Sequence, residues 1–183
     1  MKKLILALSI LGFAGTASAG FMAEPYLGYG TGSYKTDSSS TTNTGYIVGA
    51  KIGFKFGNGA WVAADPEIGG GKTKPESGTE TDYSSTQAFL DVGYDFPAVR
   101  AYAGYALMNE LTNKDTVETK LKGGSTYKVG LGWRATPMFT VGVEYMMSTP
   151  KENEIGGVSG DLVGKNDLTF TALTLGYTFG GGK

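Results

Sequence analysis

Hydrophobic and polar positions alternate with a period of two along most of this chain, most cleanly between Gly45 and Gly69. Tyr46, Val48, Ala50, Ile52, Phe54 and Phe56 fall on one face, and Ile47, Gly49, Lys51, Gly53 and Lys55 on the other. Beyond Gly57-Asn58-Gly59, which reads as a tight turn, Val62, Ala64, Pro66 and Ile68 return on the apolar side. Ala63, Asp65, Glu67 and Gly69 return on the polar side, and with Asn58 at the centre of the turn Lys51 faces Asp65.

The same design recurs twice. Ala88, Leu90, Val92, Tyr94 and Phe96 alternate with Gln87, Phe89, Asp91, Gly93 and Asp95 before a turn at Pro97-Ala98. Val99, Ala101, Ala103, Tyr105 and Leu107 answer on the apolar face, with Arg100, Tyr102, Gly104 and Ala106 on the polar one. Pairing Phe96 with Val99 sets Asp95 against Arg100. Further on, Tyr127, Val129, Leu131 and Trp133 alternate with Lys128, Gly130, Gly132 and Arg134, then turn at Ala135-Thr136-Pro137-Met138. Phe139, Val141, Val143, Tyr145 and Met147 return opposite Thr140, Gly142 and Glu144, and pairing Trp133 with Phe139 sets Lys128 against Glu144.

A strand at each end completes the set. The first, about Phe21 to Tyr34, places Ala23, Leu27 and Tyr29 on one side and Glu24, Tyr26, Gly28 and Gly30 on the other, with Pro25 near its start. The last places Leu173, Leu175, Tyr177 and Phe179 outward. Upstream of it Leu168, Phe170 and Ala172 fall on the wrong face, which predicts a bulge or fraying there. Lys35 to Thr44, Gly70 to Asp82, Asn109 to Ser125 and Ser148 to Asp167 are polar and read as long loops. Eight strands thus alternate with three short turns and four long loops.

Which face points inward is decided by glycine. Gly28, Gly30, Gly49, Gly53, Gly93, Gly104, Gly130, Gly132, Gly142 and Gly176 share the face that carries Glu24, Lys51, Lys55, Asp65, Glu67, Asp91, Asp95, Arg100, Lys128, Arg134 and Glu144. In water that many glycines would only weaken the strands. Inside a narrow eight-stranded barrel they leave room for the charged side chains to meet. The apolar face then contacts lipid, where backbone polar groups must be paired and a spanning sheet must close. Tyr46, Phe56, Phe96, Trp133, Phe139, Tyr177 and Phe179, near strand ends, fit interfacial girdles. The fold class is all-β: an eight-stranded antiparallel up-and-down transmembrane β-barrel.

Residues 1–19 have the form of an export signal: Lys2 and Lys3, an apolar run from Leu4 to Phe13, and Ala17-Ser18-Ala19 before Gly20. The barrel domain is then 20–183. Without Lys2 and Lys3, 14 cationic residues stand against 17 carboxylates, a net charge of −3 with no basic patch for nucleic acid. Cysteine and histidine are both absent, which removes disulfides, thiol chemistry and the commonest general base. No cofactor or metal is expected, and no acidic spacing matches a calcium-binding EF-hand loop. Ser148-Thr149-Pro150-Lys151 has the S-x-x-K spacing without a predicted helix. Gly70-Gly71-Lys72-Thr73 lacks the first glycine of a phosphate loop, since Pro66 stands there.

With these strands in place, the ending Leu175-Gly176-Tyr177-Thr178-Phe179 carries a resemblance. The mature chain is similar in plan to the small outer-membrane barrels of Gram-negative bacteria, the OmpA membrane domain and the OmpX group. The resemblance implies that Gly176, Tyr177 and Phe179 form the C-terminal signal read by the barrel-assembly machinery. Here Gly180-Gly181-Gly182-Lys183 follows the final aromatic residue, a departure from the usual ending. It also implies periplasmic termini and short turns, four loops outside the cell, and outer-membrane lipid and lipopolysaccharide as surroundings. The expected protein is a monomer without enzymatic activity that supports the envelope and displays its loops to a surface ligand. No cell-wall-binding domain follows the barrel, so OmpA-style anchoring is not carried over. The other reading of the inward charges is a small ion pore or an OmpW-like channel for small molecules.

Overall fold

The computed structural model describes residues 20–76, 78–114, 118–164 and 166–180. The export signal expected at 1–19 and the final residues 181–183 lie outside the described residues. In chain order the strands are β1 (Gly20–Thr36), β2 (Ser40–Lys55), β3 (Ala60–Pro75), β4 (Thr81–Asp95), β5 (Val99–Lys114) and β6 (Thr119–Lys122). They continue with β7 (Ser125–Arg134), β8 (Phe139–Thr149), β9 (Glu152–Ile155), β10 (Val158–Asp161), β11 (Asn166–Tyr177) and β12 (Phe179–Gly180). No helix occurs among the described residues.

Eight of these strands make the wall. β1 to β5 pair in sequence, β5 pairs β7, β7 pairs β8, β8 pairs β11, and β11 returns to β1, which closes an antiparallel barrel. The exposure pattern fixes its inside. Leu107, Leu131 and Leu173 point outward at 70%, 64% and 58% exposure, whereas Lys128 and Arg100 are each 1% exposed. Apolar outside and charged inside is the arrangement of a barrel in lipid, opposite to that of a soluble one. Phe21, Phe54, Phe96, Trp133, Phe139 and Phe179 ring the end that holds the termini and short turns. Tyr29, Tyr46, Tyr105, Tyr127 and Tyr145 ring the other.

The first two hairpins have the predicted registers: Gly49 pairs Glu67 and Ile52 pairs Ala64 around Asn58, and Asp95 pairs Arg100. Between those first two pairs the ladder is interrupted at Pro66, which has no N–H to donate. The third hairpin differs from expectation by two residues. Trp133 pairs Val141, Lys128 pairs Met146 and Glu144 pairs Gly130. The reason lies in the turn, where the Thr136 hydroxyl accepts the Met138 and Phe139 N–H groups at 3.3 and 3.0 Å and widens the connection. A two-residue slip keeps every side chain on its own face, so Lys128 and Glu144 still meet inside.

The bulge expected before Leu173 is absent. β11 keeps one register with β1 and β8 from Asn166 and Leu168 respectively to its end, and Leu168, Phe170 and Ala172 are buried inside the barrel. The register shift falls instead in the β4–β5 ladder at Ala88/Phe89, where Leu107 and Met108 are both exposed. The segments read as long loops are also largely strand. β1 and β2 run on to Thr36 and Ser40, and β3 and β4 to Pro75 and Thr81. Ser, Thr and Asn suit strands that leave the bilayer, where both faces meet water. On the other side of the mouth β5, β6, β9 and β10 pair in that order into a sheet that projects past the wall, and β10 is its outer edge.

Candidate functional site: the lumen

The inward faces of β1 to β5, β7 and β8 gather the charged residues into two tiers. In the tier near the short turns Asp95 is the hub. Arg100 donates to both its oxygens at 2.6 and 3.0 Å, Lys55 at 2.6 Å, and the Trp61 indole N–H at 3.2 Å. Arg134 stands 3.6 Å away. Arg100 also donates to Glu24, which accepts the Thr178 hydroxyl as well. A guanidinium forked on a carboxylate fixes direction as well as charge.

The second tier lies deeper in the wall. The Lys51 and Lys128 ammonium groups both donate to Asp65, at 2.8 and 2.5 Å, and Lys128 also donates to Glu67. Glu144 lies 3.6 Å from Lys128 and 3.9 Å from Lys51; Asp91 lies 3.5 and 3.8 Å from the same two. Neither Asp91 oxygen has a hydrogen-bond donor among the described residues. Four carboxylates therefore surround two ammonium groups. Lys51 and Lys128 fill the space between them, and among the described residues no three His, Cys, Asp or Glu are placed to share a metal ion.

All eleven inward charges predicted from the alternation line the lumen, and all are joined to this network. Sequence reasoning placed Tyr26, Tyr102 and Phe89 inside but gave them no role. The Tyr102 hydroxyl donates to Glu144 at 2.6 Å, and that of Tyr26 lies 3.0 Å from Asp65 and against Glu67. Lys51 sits 3.9 Å from the centre of the Tyr26 ring and Lys128 4.2 Å from that of Phe89. Trp61 was not placed at all, because the turn hides its parity. The signal available was the glycines: a methyl group at Gly49, Gly130 or Gly93 would overlap the ring of Tyr26, Tyr102 or Trp61. Room for charge is their service only at positions such as Gly104, beside Asp91 and Lys128, and Gly176, beside Glu24.

Toward the tyrosine-ringed end the lining changes. Gln87 donates to Asn109 at 2.9 Å, and Asn109 donates to Thr126 and Ser148, both at 2.9 Å. Beside this polar chain Tyr26, Ile47, Phe170 and Ala172 form a buried apolar cluster with Met146 packed against it. Beyond the wall, in the projecting sheet, Lys122 donates to Glu154 at 2.7 Å. That hydrogen bond raises the pKa of the Lys122 ammonium and lowers that of the Glu154 carboxyl.

A closed antiparallel barrel, apolar toward lipid and ion-paired within, defines an integral protein of the bacterial outer membrane. The chain belongs to the outer membrane protein beta-barrel domain family, which matches residues 4–179. Among solved structures it is similar to the Neisserial surface protein A, at 15% identity and a TM-score of 0.57 over 88% of this chain and 99% of that one. It is also similar to Ail, the attachment invasion locus protein of Yersinia pestis, at 12% identity and 0.54 over 90% and 100%. OprG from Pseudomonas aeruginosa follows at 10% and 0.50 over 89% and 96%. At these identities the likeness is one of fold. No curated protein matches the chain.

Proposed function

We propose that this protein is a plugged, non-enzymatic scaffold of the outer membrane that holds a recognition surface outside the cell. The observation that carries the reading is the two-tier network, in which every inward charge is held by partners from other strands across a bore that eight strands make narrow. A path for ions would need an open axis, whereas here the side chains cross it. The projecting sheet gives the scaffold something to hold. Ile155 and Val158 are exposed at its tip, and the outer edge of β10 offers backbone groups that a partner strand could pair. Gly176, Tyr177 and Phe179 serve assembly in this reading. The Tyr177 and Phe179 rings pack 4.7 Å apart on the lipid face, where insertion machinery could grip them.

Single-channel recording in a planar bilayer tests the plug. The wild-type barrel is expected to be silent, and Lys51→Ala or Asp65→Ala to open measurable conductance. Steady conductance in the wild type would replace the scaffold with a small pore in which the inward charges select ions.

A further inference from the structure

Above the second tier the barrel is not filled. An outer chamber of about 270 Å³ is lined by Tyr34, Pro75, Leu121 and Leu162 among others. A smaller one of about 30 Å³ lies against Ile47, Met146, Phe170, Glu67 and Glu144. Asn43, Tyr83, Leu111 and Leu168 line both, so the two meet at a shared neck. A water needs about 10–15 Å³ by this measure, so the inner chamber admits a group of one or two heavy atoms and the outer one a small organic body.

The chemistry of the walls differs with depth in the same sense. Leucines, Pro75 and tyrosine rings give the outer chamber much of its wall, with Asn and Thr side chains between them. The floor offers Glu67 and Glu144, each 4% exposed, in a cluster where carboxylates outnumber ammonium groups four to two. Lys128 and the Tyr26 hydroxyl reach Glu67 through Oε1 and the Tyr102 hydroxyl reaches Glu144 through Oε2, so among the described residues the second oxygen of each carboxylate has no donor. The two carboxylates that line the inner chamber thus keep acceptor capacity toward it. An ammonium group can donate to those free oxygens, whereas a carboxylate there would meet like charge and has no proton to give.

We propose that the outer half of the lumen is a binding site for a small amphipathic amine, its ammonium seated on Glu67 and Glu144 and its apolar body held between Leu111, Leu168 and Phe170. The inference goes beyond the scaffold reading, and a silent or a conducting barrel leaves its test unaffected. Phenethylammonium, 2-phenylethanol and 3-phenylpropanoate share a ring and chain and differ in head-group charge. Each is titrated at neutral pH into the refolded barrel in phosphatidylcholine nanodiscs, with NMR signals of Ile47 and Phe170 as the readout. The ammonium is expected to shift both signals saturably and to bind about tenfold tighter than the alcohol, as a charge-assisted hydrogen bond allows. Glu144→Gln should remove most of that advantage. Leu168→Trp, which fills the neck without touching the ion pairs, should abolish binding while the barrel stays folded. Equal affinity for the alcohol, tighter binding of the carboxylate, unmoved lumen signals, or binding retained in Leu168→Trp would each overturn the proposal.

Discussion

The two halves of the lumen solve the same packing problem with different chemistry. Near the short turns and in the second tier the bore is crossed by charges that hold one another in place; near the mouth Ile47, Phe170, Ala172 and Leu168 fill part of it and leave a cavity. Buried charges depend on the position and direction of every partner, so that half tolerates little change. Apolar side chains need only volume, and an incompletely filled volume becomes a pocket. The difference teaches that rigidity and vacancy in this barrel are separated along its axis.

The sharpest way to break the contrast is Lys128→Met. It leaves Asp65, Glu67, Asp91 and Glu144 around one ammonium, and loss of one partner of a buried pair costs roughly 3–5 kcal/mol. A large fall in the urea midpoint of the refolded barrel, read by its heat-dependent mobility, is expected; an unchanged midpoint would mean that the tier bears no load. Gly130→Ala probes the same half through shape. The added methyl presses on the Tyr102 ring and, as overpacking, costs about 1–3 kcal/mol by the same assay. In the apolar half Ile47→Val should cost only about 0.5–1.5 kcal/mol. A cost as large as that of Lys128→Met would erase the distinction between the halves.

The smallest effect belongs outside the wall, in the Lys122 and Glu154 pair. The folded pKa of Glu154 is depressed, so its contribution is present above the unfolded value and fades as pH falls through the folded one. Lys122 is raised, so its contribution is present at low pH and is lost only as pH rises through its folded pKa. Amide protection of β6 and β9 should therefore be level between about pH 5 and 9 and drop below about pH 4. Glu154→Gln should abolish that acid step without moving the global midpoint.

Most of the wall was legible because parity is robust. A strand's side chains change face only when the register slips by an odd number, so the third hairpin could be misread by two residues and still put Lys128 and Glu144 together. What parity cannot carry is identity of environment. Leu168, Phe170 and Ala172 looked misplaced because the inner face was taken to be polar throughout, when its outer half carries an apolar cluster beside its polar chain. Strand ends were misjudged for a related reason: the alternation is imposed by lipid, and it stops at the membrane surface although the ladders from Thr36 to Ser40 and Pro75 to Thr81 do not. Trp61 was hidden by its turn, and the contact from Arg100 to Glu24 depends on three-dimensional closure that no hairpin contains.

That closure also sets the order in which the molecule can form. Tyr26 pairs with Gly176, and Arg100 on β5 reaches Glu24 on β1, which in turn receives Thr178. These contacts join residues from opposite ends of the chain, and such distant pairings make folding slow. A half-built sheet would leave Glu24 without Arg100 and Thr178, although Arg100 keeps Asp95 within its own hairpin. The seam between β1 and β11 is therefore a kinetic checkpoint, and a chain stalled before its last strand has no stable resting state in the bilayer.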